Sequence, residues 1–100
     1  MITYLTLFTA RDKSNAASLE LIFSALRRNT PSEPGCISYE IYGDAANPLV
    51  SYIIETWESQ KSFEGHLEVV ATNHYVEQAL AFTAEPFKSI QLIEKFNLIK

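Results

Sequence analysis

The chain has 100 residues, 47% hydrophobic and 20% charged, a balance that makes a globular domain and excludes a disordered one. A formal charge of −4, with no basic cluster longer than Arg27-Arg28, excludes the basic face that nucleic acid requires. No apolar run reaches the length of a membrane span, and a lone cysteine, Cys36, excludes an internal disulfide and any multi-cysteine metal site.

Met1 leads straight into ITYLTLFTA, without a cationic start or a small-residue cleavage site. This segment therefore reads as a strand and not as a signal peptide, and the expected location is the reducing cytoplasm. Ile2 to Ala10 is the first strand, bounded by the polar run Arg11 to Asn15, in which Ser14 or Asn15 is the expected helix cap. Leu19, Ile22, Phe23 and Leu26 repeat at i, i+3, i+4, i+7 and predict an amphipathic helix to about Asn29. Arg27 and Arg28 suit its negative end, and Pro31 with Pro34-Gly35 closes it.

Cys36 to Tyr42 reads as the second strand, with Ile37, Tyr39 and Ile41 on one face and Cys36, Ser38, Glu40 and Tyr42 on the other. Gly43 to Pro48 is a polar turn, and Leu49 to Trp57 returns as the third strand. Ser59 caps a helix through Phe63, His66 and Leu67, which share one face at i, i+3 and i+4. The helical pattern breaks at Thr72-Asn73 and restarts with Tyr75, Val76, Ala79 and Leu80, to be stopped by Glu85-Pro86. Ile90, Leu92, Glu94, Phe96 and Leu98 alternate as a final strand.

The resulting order, β-α-β-β-α-β over residues 1–100 as one domain, predicts an α+β, ferredoxin-like subunit with a four-stranded antiparallel sheet and helices on one face. Both strand faces nevertheless carry large apolar groups: Val50, Tyr52 and Ile54 oppose Ile53 and Trp57 on the third strand. A sheet face that helices cannot reach calls for a partner, and a symmetric homodimer is the expected one.

Three segments, EPGCISYEIY (Glu33 to Tyr42), IIETWESQKSFEGHL (Ile53 to Leu67) and NHY (Asn73 to Tyr75), resemble the antibiotic biosynthesis monooxygenase domain family. That family's pattern runs roughly E-P-G-C-x-x-Y-E, then E-x-W-E-S, H-L and P-H-F. The resemblance spans nearly the whole chain and implies a dimeric α+β barrel with a pocket between sheet and helices in each subunit. It implies a cofactor-independent monooxygenase acting on a small phenol- or quinol-type substrate. Isomerases of small oxygenated metabolites, haem-degrading enzymes and members without known activity share the family. The haem-degrading members carry an Asn on the first strand, which ITYLTLFTA lacks. Asn73 replaces the family's Pro, and a few extra residues separate His66-Leu67 from His74-Tyr75. Ile53 stands where the polyketide oxygenases carry an Asn, so the donor that would polarise a substrate carbonyl is absent there.

His66 is the candidate for proton transfer, since imidazole changes charge near neutral pH. Its alternative is a buried histidine bonded to the backbone. Trp57, ending the strand before the helix, is either the wall against which an aromatic ligand stacks or plain core. Phe63 and Tyr75 are expected as apolar walls and Tyr39 as a phenol that orients a substrate oxygen or packs locally. Ile53 and His74 complete the substrate-binding set that the resemblance implies, although His74 also reads as an exposed or capping residue. Glu55, on the same strand face as Trp57, reads as a structural carboxylate paired with Arg11 or another cation, and Cys36 as inert. No metal and no cofactor is expected: His66 and His74 are too far apart for an i, i+4 pair, and no glycine-rich phosphate loop occurs. The resemblance leaves three functions open: oxygenase, isomerase, or a dimer that only binds its ligand.

Overall fold

The structure, a computed structural model, describes residues 1–96. Four strands form one antiparallel sheet: β1 (Ile2–Thr9), β2 (Cys36–Asp44), β3 (Asn47–Trp57) and β4 (Lys88–Leu92), in spatial order β2-β3-β1-β4. Helix α1 (Lys13–Asn29) crosses from β1 to β2, and α2 (Gln60–Thr72) with α3 (Tyr75–Leu80) crosses from β3 to β4. This is the ferredoxin-like α+β arrangement expected from the order of elements.

Local chemistry sets the element ends. Asp12, not Ser14 or Asn15, caps α1: its carboxylate accepts the Asn15 backbone N–H at 2.8 Å, so the helix starts earlier than the polar run suggested. Leu19, Ile22, Phe23 and Leu26 form its buried stripe as expected. Ser59 caps α2 through Ser62 N–H. The second helix is broken where Asn73 turns its amide onto the Val69 carbonyl at 2.9 Å and His74 takes the left-handed conformation, φ 56°. Helix α3 then ends at Leu80, before Glu85-Pro86, and Thr83 bridges Ala10.

The strands depart from the expected pattern in two places. A register shift between Cys36 and Ser38 reverses the start of β2, so Cys36 packs against the core and Ile37 is 48% exposed. The strand β4 begins at Lys88 and stops at Leu92, opposite Thr3, because β1, its only neighbour among the described residues, runs out one residue later. Glu94 and Phe96 lie beyond it, and Leu98 falls outside the described residues. The β2–β3 turn is shorter than Gly43 to Pro48, because Asp44 and Asn47 accept the Ala46 and Leu49 amides and bring the strands to a tight hairpin.

The core lies between the helices and one sheet face, where Phe8 meets Phe23 edge-on and Tyr39 and Ile53 are buried. The other face pairs Leu5 with Ile54 and Ile90 across the strands, beside Leu7 and Tyr52. No helix among the described residues packs there, and Ile90, Leu92 and Tyr42 stay exposed.

Candidate active site

Strand alternation aims Ile53, Glu55 and Trp57 at the helices, and all three are buried. A glutamate at a core-facing strand position is costly unless it is partnered. Glu55, 6% exposed, is partnered twice on one oxygen: Trp57 Nε1–H donates to Oε1 at 2.9 Å, and His66 Nε2 stands 3.7 Å from the same atom. Arg11 is not among its partners, since Arg11 Nε–H donates to the Thr83 carbonyl instead. Burial raises the Glu55 carboxyl above its ordinary pKa; the Trp57 bond and His66 lower it by less, and Glu33 adds to the rise.

His66 enters from α2. It is 4% exposed, a buried histidine whose ring nitrogens face carboxylates and not the backbone. The imidazole stacks on Trp57 with centroids 4.8 Å apart and meets Tyr39 edge-on at 5.7 Å. Its Nδ1 lies 2.9 Å from Glu33 Oε1. Glu33 reaches that position because the E-P-G segment is folded tightly against α2. Gly35 has φ 82°, its carbonyl accepts Glu58 N–H at 2.8 Å, and a Cβ there would collide with the Ser62 side chain.

Between sheet and helices lies a cavity of about 180 Å³. Phe8, Phe23, Phe63, Tyr75 and Phe87 contribute aromatic walls, and Phe63 is held by stacking on Tyr4 at 4.2 Å. The polar lining is Glu55 and the Thr6 and Ser89 hydroxyls, which bond each other at 3.0 Å. Leu67 and Val76 line the cavity while remaining partly open to solvent, so its mouth lies between α2 and α3. A larger groove of about 240 Å³ beside the β2–β3 hairpin contains none of the sequence candidates.

Phe63 and Tyr75 thus meet at the cavity, while Trp57, His66 and Tyr39 form an aromatic cluster behind Glu55. Ile53 packs in the core without lining the cavity. His74 is on the surface, 3.3 Å from Glu77. The phenol of Tyr39 is held firmly protonated, by burial first and then by the charges of Glu55 and Glu33. Burial likewise pushes the Cys36 thiol up, away from the reactive thiolate. The side chain whose position was underrated is Glu55, and period-two alternation with Ile53 and Trp57 was the signal for it. Among the described residues, no group of three or more His, Cys, Asp or Glu could hold a metal ion, and no helix is long and apolar enough to cross a membrane.

A ferredoxin-like subunit with an aromatic cavity between sheet and helices, and a buried carboxylate in its wall, belongs among small-molecule-binding α+β domains. The chain is a member of the antibiotic biosynthesis monooxygenase family, whose model matches residues 1–78. Solved structures of similar fold include PA3566 from Pseudomonas aeruginosa, 26% identical with a TM-score of 0.78, covering 95% of this chain and 94% of that one. Rv0793 from Mycobacterium tuberculosis is 19% identical with a TM-score of 0.86, and the match covers 98% of each chain. SnoaB from Streptomyces nogalater, a cofactor-independent oxygenase, is 14% identical with a TM-score of 0.80, covering 99% of this chain and 97% of that one. Comparison with proteins of curated function finds no match.

Proposed function

We propose that the protein is a cofactor-independent monooxygenase that oxidises a small phenol or quinol in the cavity between sheet and helices. The observation that carries this reading is Glu55, a buried carboxylate of raised proton affinity in the wall of an otherwise aromatic cavity. An electron-rich phenol that loses its proton can itself pass an electron to dioxygen. The protein then has only to bind the substrate, accept the proton and exclude water. Glu55 is the acceptor, Phe63 and Tyr75 grip the ring, and the Thr6–Ser89 hydroxyl pair offers a hydrogen bond to a substrate oxygen.

Size narrows the substrate. A cavity of about 150 Å³ takes one benzene ring, so about 180 Å³ has room for a single-ring quinol. Family membership and the likeness to SnoaB support oxygen chemistry. Ile53 and His74 have no part in this reading. The working unit is a homodimer closed on the apolar sheet face around Leu5, Ile54 and Ile90, with the cytoplasm as its site of action.

The test is turnover of single-ring quinols and phenols under ¹⁸O₂, followed by oxygen electrode and product mass. One labelled oxygen atom in the product is expected. Binding without oxygen uptake, or an isomerised product of unchanged mass, contradicts the proposal and returns the choice to a ligand-binding dimer or an isomerase.

A further inference from the structure

We infer that Glu55, His66 and Glu33 form a proton path that joins the cavity to an open cleft on the other side of α2. The inference rests on the oxygenase reading for its purpose, but the path itself is a matter of three side chains and their protons. His66 offers one nitrogen to each carboxylate: Nδ1 to Glu33 at 2.9 Å and Nε2 towards Glu55 at 3.7 Å. Glu55 lines the cavity, and Glu33 together with the edge of His66 lines a cleft of about 410 Å³ bordered by Ser59, Lys61 and Gly65. Among the described residues no side chain lines both openings, so a proton passing between them has to be handed from one group to the next. The ring cannot swing away, because Trp57 stacks on its face and Tyr39 stands against it.

The need for such a path comes from burial. Once a substrate fills the cavity, Glu55 has no direct contact with bulk water, so a proton it accepts must leave through the protein. In the resting state Nδ1–H donates to the Glu33 carboxylate, which leaves Nε2 as an acceptor aimed at Glu55. The substrate O–H bond breaks and its proton joins Glu55. Glu55 passes it to Nε2 while Nδ1 gives its own proton to Glu33, from which it exchanges with water in the cleft. The substrate anion reduces dioxygen by one electron, and the two radicals combine to a peroxide anion. A proton returning along the same path protonates that anion and restores the Nδ1–H tautomer, so one proton leaves and one comes back in each cycle. The ring hydroperoxide then eliminates water, breaking its C–H and O–O bonds, which leaves one oxygen atom on the ring as a carbonyl and releases the other as water. The Nε2–Oε1 gap must shorten to about 2.8 Å for transfer, a normal tightening for a catalytic pair when its ligand binds. Tyr39, held protonated, does not compete as an acceptor.

Two measurements test the path. The first needs no turnover: ¹⁵N NMR of His66 in the wild-type protein at neutral pH should show Nδ1 protonated and Nε2 bare. An Nε2–H tautomer or an imidazolium overturns the path, because neither can accept a proton from Glu55. The second is Glu33→Gln, whose amide oxygen still accepts from Nδ1–H but cannot take up the proton. Quinol turnover should fall by about 10²-fold with KM unchanged, and added formate or imidazole, small enough for the cleft, should restore part of it. Full turnover in the variant, or a loss that no small base restores, overturns the path. If the wild-type protein oxidises no quinol, the oxygenase reading fails, and the NMR result alone decides whether the three groups carry a proton.

Discussion

His66 lies flat against Trp57, with ring centroids 4.8 Å apart and 29° between the planes, while the Trp57 indole N–H is bonded to Glu55. One fully buried tryptophan therefore sets both the plane of the imidazole and the position of the carboxylate. Trp57 is a bracket behind the cavity and not a face of it.

Trp57→Phe keeps a ring beneath His66 and removes only the N–H. The Glu55 oxygen then loses its donor in a buried place, a loss of about 1 to 3 kcal/mol, measurable by urea unfolding. The same bond holds the Glu55 pKa down, so its removal should move any acid limb of the pH–rate profile to higher pH.

His66→Ala should lower stability as well as turnover. The side chain is buried, stacked and bonded to Glu33, so its loss opens a cavity and leaves two carboxylates facing each other without the ring between them. A cost of about 2 to 4 kcal/mol is expected, read as a lower denaturation midpoint with an unchanged slope.

Glu55 should also mark the dependence of stability on pH. Its folded pKa is raised, so the native state holds this proton more tightly than the unfolded chain does. The stability it contributes is present below the unfolded pKa and is lost as pH rises through the folded pKa. Glu55→Gln removes that loss while its amide oxygen still accepts from Trp57. The variant's Tm relative to wild type should therefore climb as pH is raised from the acid side to neutrality. A difference that is constant with pH would show that Glu55 does not titrate above its ordinary range.

Much of the fold was legible because its signals are periodic: the Leu19-Ile22-Phe23-Leu26 stripe, the Ser59 cap, the break at Asn73 and the strand alternation around Ile53. What was not legible depended on partners distant in sequence. The bulge that turns Cys36 inward is a matter of pairing with Trp57, and the end of β4 is set by where β1 begins. The site was read in part for the same reason. His66, Phe63 and Tyr75 follow from helical spacing. That Glu33 caps His66 needs residues 33 positions apart to meet in space, and that Glu55 lies between His66 and the cavity needs a strand and the next helix to pack in one particular way. Periodicity also cannot tell a side chain that lines a cavity from one packed behind it, which is why Trp57 was expected as its wall or as plain core.

The open sheet face gives a separate prediction. Ile54 faces away from the helices and pairs with Leu5. Ile54→Glu places a charge at the centre of the proposed dimer contact and should yield monomers in sedimentation at micromolar concentration. Wild-type Tm should rise with protein concentration and the variant's should not. A wild-type monomer at all concentrations would contradict the dimer.

The most direct measurement is oxygen uptake by wild type and Glu55→Gln side by side, with a single-ring quinol at saturation and folding verified by circular dichroism. A buried carboxylate that accepts the substrate proton predicts that the variant stays folded and turns over about 10²- to 10⁴-fold more slowly. Equal rates in the two proteins would contradict the account, because the substrate would then lose its proton without Glu55.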